Sequence, residues 1–239
     1  LLVAPRVSAA PCTSPKTFPI GEWYCEPINE LAQKGILDCP CGHQDPAGYV
    51  HRLDLFESLC RLLQLDSEPF ADEACGPFFP DNPGNGSEAQ LCAEALRYLT
   101  GDDGVPVLQG KSGQLDPYGW ATRCEFFKVV VEGTGLTLPT GGELPCSDVP
   151  QDHWCAPMLK SAFELGLVQG DGNGSTCRPD DPINFAEVAA VLKNALDIVE
   201  TKGWSWDDGP FGPSAGDFTC GPCGGSSEAC CAGATPCTG

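Results

Sequence analysis

Cysteine is the residue type in this chain that is best placed to do chemistry. Sixteen of the 239 residues are cysteines, and reducing compartments rarely tolerate so many unless the thiols bind metal. Zinc sites typically combine two CxxC pairs, whereas this sequence has one, Cys220-Gly-Pro-Cys223. Disulfides formed outside the cytoplasm are therefore the favoured interpretation, and no metal site is predicted. The disulfide candidates are Cys25, Cys39, Cys41, Cys92, Cys124, Cys155, Cys177, Cys220, Cys223, Cys230, Cys231 and Cys237.

The CxxC pair and the histidines do not form a recognisable catalytic motif. A thioredoxin-type redox pair needs a helix N-terminus to lower the thiol pKa, and the Gly- and Pro-rich sequence around Cys220 supplies none. His43, His51 and His153 stand in predicted loops or at helix starts, without an HExxH, GxSxG or phosphate-loop motif. No catalytic residues are predicted, and a secreted enzyme or redox protein is the least favoured reading.

One loop resembles the beginning of a calcium-binding loop. It reads DGNGST from Asp171, but the twelfth position is Pro182 rather than glutamate, which excludes an EF-hand. A looser calcium site stays open, although a tight glycine turn is favoured, and no other cofactor is predicted. Asn85 and Asn173 begin N-x-S sequons, whose glycosylation the sequence leaves undecided.

The charge of the chain excludes several partner classes. Thirteen Lys and Arg face 33 Asp and Glu, which gives a formal net charge of −20. Such a surface repels nucleic acid and anionic lipid headgroups.

No apolar run reaches the length of a transmembrane helix, so membrane insertion is not predicted. The start, LLVAPRVSAAPC, is interpreted as the mature end left after signal-peptide cleavage, which predicts an extracellular, cell-surface protein.

Hydrophobic periodicity predicts six helices. In the first, Ile28, Leu31, Ala32 and Ile36 recur at helical spacing, and Gly35 is a natural C-terminal cap. The remaining predicted helices lie within HRLDLFESLCRLLQL, EAQLCAEALRYL, ATRCEFFKVVVEG, LKSAFELG and NFAEVAAVLKNALDIVETKG. Ser87 and Gln90 form a plausible capping box at the start of EAQLCAEALRYL.

The six helices read as one helix-loop-helix unit used three times. The loop before each second helix carries a proline, at Pro46, Pro117 and Pro179, and Arg52 and Arg123 open the first two of those helices. We therefore predict a mainly α fold in which three units share one core. The predicted segments are an extended arm at 1–17, units at 18–70, 71–138 and 139–202, and a Gly/Pro/Cys-rich irregular tail at 203–239.

The third unit resembles an S-layer homology (SLH) domain. Its opening is Ser147-Asp148-Val149, a tryptophan follows at Trp154, and the loop Gly172 to Pro179 carries Cys177 where an aromatic residue is usual. The second unit matches at Phe79-Pro80-Asp81 and at Ala121 to Glu125, and the first matches more loosely at Val50 to Asp54. The resemblance implies a pseudo-threefold bundle whose grooves bind cell-wall polysaccharide.

By the same resemblance Arg52, Arg123, Asp81, Asp148 and Trp154 line those grooves. A guanidinium suits the task because its planar fork can bond a ketal carboxylate or sugar hydroxyls at two points. The residues alone leave other roles open. The arginines could pair with a nearby acid of their own helix or pack at its N-terminus. The aspartates could be N-caps or form turns, and Trp154 could belong to the core or to a groove wall.

Corresponding positions in the units suggest how the cysteines pair. The expected disulfides are Cys155–Cys177, Cys25 with Cys39 or Cys41, and Cys92–Cys124, while Cys12 and the tail cysteines clamp the termini.

The favoured function is the subunit of a self-assembling surface layer or filament, in which copies of the chain are each other's partners. The apolar arm residues Leu1, Leu2, Val3 and Val7 would insert into the next copy. The alternative is a monomeric module that binds cell-wall polysaccharide.

Overall fold

A computed structural model describes residues 22–39, 44–65, 78–82, 86–100, 104–136, 144–171 and 175–201. The predicted arm at 1–17, with its apolar residues, and the predicted tail at 203–239 lie outside the described residues. The boundaries proposed between the three units also fall outside them, so those boundaries stay predictions. Outside them too are Cys41 and the tail candidates Cys220, Cys223, Cys230, Cys231 and Cys237.

The described residues form six helices and no strand, which confirms the prediction of a mainly α fold. In chain order they are α1 (Cys25–Gln33), α2 (Arg52–Leu63), α3 (Glu88–Tyr98), α4 (Arg123–Gly133), α5 (Ala156–Glu164) and α6 (Phe185–Thr201). Across the described stretches, no helix combines the length and apolar character needed to span a membrane.

Capping residues set the helix ends. Gly35 follows the C-cap of α1 with a φ of +71°, the left-handed conformation that glycine tolerates best. Thr122 and Glu125 form a reciprocal capping box at the start of α4. The capping box predicted at Ser87 is wrong. Ser87 is the N-cap of α3, but its side chain does not make the capping hydrogen bond to the helix backbone that the box requires.

The helices that pack most closely against each other belong to different predicted units. Helix α2 packs against α3, α4 against α5, and α6 against α1. The second helix of each predicted unit therefore packs on the first helix of the next, and the contact of α6 with α1 closes the series. One continuous apolar core joins all six helices; its largest fully buried members include Phe79, Phe126, Phe127 and Leu59.

Three buried residues, one before each second helix, are joined in a ring of backbone hydrogen bonds. Val50 donates its backbone N–H to the carbonyl of Ile183 at 3.2 Å. Ile183 donates to Ala121 at 2.9 Å, and Ala121 donates back to Val50 at 3.1 Å. Each backbone donor and acceptor thus finds its partner in another unit, which satisfies polar groups that would be costly to bury alone.

The same circular order holds at the N-termini of the second helices, whose first N–H groups lack partners inside the helix. Carbonyls from the loop of the next unit accept them. These bonds run from Leu53 to Pro117 (3.1 Å), from Cys124 to Pro179 (3.0 Å) and from Ala186 to Pro46 (3.0 Å). The three aligned prolines therefore each present a carbonyl to a helix N-terminus.

Candidate functional site

Two aspartates each hold a loop by both carboxylate oxygens. Asp81 accepts the backbone N–H groups of Leu115 at 2.7 Å and Asp116 at 2.8 Å. Asp148 accepts those of Cys177 at 2.9 Å and Arg178 at 2.8 Å. Partial burial would raise the pKa of each aspartate, but the donated N–H groups outweigh it and lower the pKa of both below the ordinary value. Both residues therefore organise loops that are distant in sequence, which differs from the local turn that the sequence offered as an alternative.

Two arginines bind the same loops from the other side. The Nε of Arg52 donates to the Leu115 carbonyl at 2.8 Å, and the Nε of Arg123 donates to the Cys177 carbonyl at 2.7 Å. Only 5% of Arg52 and 6% of Arg123 is exposed. Each guanidinium also lies near the aromatic ring four residues later in its helix, at 5.8 Å and 5.6 Å from the ring centroid. These arginines are part of the framework between units.

The ion pairs of these arginines also cross between units. Arg52 pairs with Glu125 at 2.5 Å, and Arg123 pairs with Glu187. The pairing with an acid of the same helix, one of the alternatives from sequence, is therefore not the one that forms. Neither Glu125 nor Glu187 is among the groove residues predicted from the sequence. The T-x-x-E and N-x-x-E patterns in which they stand are the signal for their second role in helix capping.

The third junction lacks this ion pair. Phe185 occupies the first position of α6, where α2 and α4 begin with arginine, and Asp54 stands where Glu125 and Glu187 stand. Partial burial raises the pKa of Asp54, His51 opposes the shift and Asp38 adds to it. A phenylalanine cannot compensate a carboxylate, so this junction differs from the other two in charge.

Groove 1 is a cavity of about 430 Å³ beside α2 and α4. Its walls include three cationic side chains (Arg52, Lys111 and Lys128), two acids (Glu125 and Asp180), and Trp154. Lys128 donates to the carbonyls of Pro106 and Val107 and pairs with Glu132. The side chain of Lys111 is exposed. Groove 1 therefore has three cationic and two acidic side chains in its walls, and two of the cations, Arg52 and Lys128, are paired with acids.

Groove 2 is a cavity of about 410 Å³ at the junction that carries Phe185. Four acids line it, and the single arginine among its lining residues, Arg61, is bound to acids. Burial raises the pKa of Glu57; Arg61 opposes the shift, and the neighbouring acids Asp38, Glu88 and Asp54 add to it. Groove 2 is consequently more acidic than groove 1. The acids that line it are Asp38, Asp45, Asp54 and Glu57.

The predicted groove residues are only partly brought together. Arg52 and Trp154 both line groove 1, and Trp154, with 53% of its surface exposed, is a wall residue and not a core residue. Asp81, Asp148 and Arg123 are not among the residues that line groove 1 or groove 2. Sequence reasoning missed Lys111 and Lys128, because neither belongs to a motif and only the fold brings them beside Arg52.

An exposed aromatic cluster lies next to Val50 and Ala121 in the chain, and it was not predicted from the sequence. The rings of His51 and Trp120 stack at 4.2 Å with an interplanar angle of 14°, and Tyr49 meets Trp120 edge-on at 6.0 Å. Tyr49 and Trp120 occupy the same position in successive units, three residues before Arg52 and Arg123. An aromatic residue at a fixed offset from each arginine is the signal that would have identified them.

The disulfides correct two predicted pairings. Cys124 bonds to Cys155, and Cys146 bonds to Cys177. The predicted Cys155–Cys177 and Cys92–Cys124 bonds are therefore wrong. Both pairings placed the bond within one unit, whereas α4 packs on α5 of the next unit. Cys25 and Cys39 are disulfide-bonded as well, in agreement with their place among the candidates.

These disulfides also include the cysteines of two groups of side chains that could otherwise hold a metal ion. Cys124 and Cys155 lie beside His153, and Cys146 and Cys177 lie beside Asp148. As disulfides the sulfurs offer no thiolate, the form in which cysteine binds metal. In the calcium-like loop, the Asp171 carboxylate is bound by Arg178 Nε at 2.6 Å, and residues 172–174 lie outside the described residues.

The third unit thus combines an aspartate that binds a loop, a disulfide to that loop, and a capped second helix. Residues 147–189 match the S-layer homology domain. The recognition of this family is confirmed for that segment, and the presence of three copies stays a prediction. An SLH domain is a non-catalytic module that anchors proteins at the cell surface by binding cell-wall polymers. The match also confirms the predicted cell-surface location.

Three relatives share parts of this chain. A "Cell surface protein" of Thermoanaerobacter kivui is 37% identical over 65 residues, which are 27% of this chain and 8% of that protein. An "Amylopullulanase" of Thermoanaerobacterium thermosulfurigenes is 30% identical over 87 residues, 36% of this chain and 4% of the relative. "Exoglucanase XynX" of Acetivibrio thermocellus is 28% identical over 87 residues, 36% of this chain and 8% of the relative. This chain therefore spans a small fraction of each relative's length.

Proposed function

We propose that this protein attaches non-covalently to the cell wall by binding an anionic wall polysaccharide in groove 1. The observation that carries the proposal is the concentration of Arg52, Lys111 and Lys128 around one cavity of a strongly acidic chain. Long-range repulsion disfavours an anionic polymer elsewhere on this surface, so local cations both bind the polymer and place it. No catalytic role is proposed.

The groove offers two kinds of contact to a charged sugar. Lys111 is exposed and can meet a carboxylate or phosphate directly, whereas Arg52 and Lys128 already hold acids and add mainly to the local potential. Trp154 presents an exposed indole on the same wall, an apolar face with a polar N–H tip. Charge and an aromatic face together suit a sugar ring that carries an acidic substituent.

Groove 2 is expected not to bind this ligand. Its lining acids repel an anion, and Phe185 supplies no cation to offset them. We therefore expect groove 1 to dominate binding, with a stoichiometry near one polysaccharide site per chain rather than three.

The test is calorimetric titration of the chain with wall polysaccharide purified from Thermoanaerobacter kivui, the source of one relative. Lys111→Gln removes the exposed cation of groove 1, and Lys160→Gln on α5 makes the same change in net charge away from it. Losing one charge-assisted hydrogen bond costs about 1.5 kcal/mol, so the Kd of Lys111→Gln should rise about tenfold. The Kd of Lys160→Gln should match that of the parent chain. Equal affinities of the two variants would refute the assignment to groove 1.

A second titration uses the same polysaccharide after chemical reduction of its carboxyl groups. Loss of binding supports recognition of the acidic substituent, whereas retained binding would leave the sugar hydroxyls as the recognised groups and overturn the anionic class.

The other function predicted from the sequence, a subunit of a self-assembling surface layer, stays a prediction. It rests on the arm at 1–17 and the tail at 203–239, which lie outside the described residues. Deleting residues 1–17 separates the two functions, because assembly seen by electron microscopy would then disappear while polysaccharide binding would persist.

A further inference from the structure

Among the described cysteines, two are thiols and six are in disulfides. Cys60 on α2 and Cys92 on α3 are the two thiols, and both are buried, with 2% and 1% of their surface exposed. The other six are Cys25, Cys39, Cys124, Cys146, Cys155 and Cys177. Cys60 was not among the candidates from sequence, because it reads as one more apolar residue of an amphipathic helix.

The two thiols are in contact. The Cys60 side chain forms a hydrogen bond with Cys92. An ion pair fixes the alignment of the two helices beside them, since Arg61 donates to both carboxylate oxygens of Glu88, at 3.1 Å and 3.0 Å. Arg61 is the neighbour of Cys60, and Glu88 lies one helical turn before Cys92. This bidentate contact aligns the two helices independently of the sulfurs.

The junction between α4 and α5 offers a direct comparison. There the second helix of one predicted unit packs on the first helix of the next, and Cys124–Cys155 links them with a separation of 31 residues. Cys60 and Cys92 occupy the preceding junction, α2 against α3, with almost the same separation along the chain.

We propose that Cys60 and Cys92 form a disulfide in the exported protein, so that a covalent bond links α2 to α3 as one links α4 to α5. Two S–H bonds break and one S–S bond forms, and the two electrons and two protons pass to the disulfide of an oxidising thiol–disulfide exchange protein, which leaves as a dithiol. The proposal rests on the cell-surface location and not on polysaccharide binding.

Burial dictates when this bond can form. Burial raises the pKa of the Cys60 thiol, and the hydrogen bond to Cys92 raises it further. Because the thiolate is the attacking species, exchange is slow once α2 and α3 have packed. The bond must therefore form during folding, and no external reductant reaches it afterwards.

The test is a peptide map of the full chain, exported by a bacterial host and purified without reductant. The protein is denatured in guanidinium together with iodoacetamide, because buried thiols and disulfides are both unreactive in the native state. We expect a Cys60–Cys92 linked peptide that separates on reduction, with neither cysteine alkylated in most molecules. Alkylation of both cysteines in most molecules, or a bond from Cys60 to a different cysteine, would overturn the proposal.

Single and double variants provide a second readout. In Cys60→Ala we expect Cys92 to become alkylated, and a Tm about 10 °C lower, from closure of a loop of about 30 residues. Because either single variant already removes the bond, Cys92→Ala and the double variant should show nearly the same Tm. A double variant that melts well below either single variant would instead indicate two thiols that contribute to packing without a bond between them.

Discussion

The two interunit arginines have the same geometry but should differ in how much stability they contribute. Replacing Arg52 by Met keeps an apolar stem in the core and leaves Glu125, whose side chain is 28% exposed, without its arginine. Replacing Arg123 by Met leaves Glu187 with a second partner, because Arg178 also donates to it at 2.9 Å. Both substitutions lose one hydrogen bond to a loop carbonyl, so that cost cancels in the comparison.

The magnitudes follow from the stranded charge. Breaking a buried ion pair by removing one partner costs about 3–5 kcal/mol, so we expect Arg52→Met to lower the free energy of unfolding by that amount. The retained contact with Arg178, which is 40% exposed, should reduce the loss in Arg123→Met by about 1 kcal/mol. Since 1 kcal/mol shifts the Tm of a chain this size by about 2–4 °C, Arg52→Met should melt about 10 °C below the parent.

Urea unfolding of the disulfide-intact chain, followed by circular dichroism, measures both losses, with an unchanged m value as the check on the comparison. The control is Arg52→Met combined with Glu125→Gln, which removes the stranded charge and should recover part of the lost stability. The reasoning is refuted if Arg123→Met is as destabilising as Arg52→Met, or if the double variant is less stable than Arg52→Met alone.

The pKa shifts give two further predictions, both tested by unfolding at pH 7, 5 and 3. The folded-state pKa of Asp148 is lowered, so its contribution is present above the unfolded value of about 3.9 and is lost as the pH falls through the folded pKa. Asp148→Asn should therefore be less stable than the parent at pH 7, with the difference shrinking at pH 3; a difference independent of pH would contradict this. The pKa of Asp54 is raised, so its ionisation opposes folding above the unfolded value of about 3.9. Asp54→Asn should be more stable than the parent at pH 7, and a destabilised variant would show that the missing arginine is compensated elsewhere.

Much of the local structure could be predicted because it depends on nearby residues. The periodicity of Ile28 and Leu31 places α1, Gly35 ends it, and Arg52 and Arg123 do open their helices. The alignment of Pro46, Pro117 and Pro179 was also visible in the sequence. What it could not show is that their carbonyls accept N–H groups from helices of other units.

The tertiary structure alone decided which units touch, and with it the partner of each charged or sulfur-bearing side chain. A sequence repeat states that units are alike, but it does not state whether a helix packs on its own unit or on the next. That choice assigns Glu125 to Arg52 and Cys155 to Cys124, brings Cys60 to Cys92, and gathers Lys111 and Lys128 around one groove. Helix periodicity follows from interactions within a few residues, whereas these pairings follow from burying one shared apolar core.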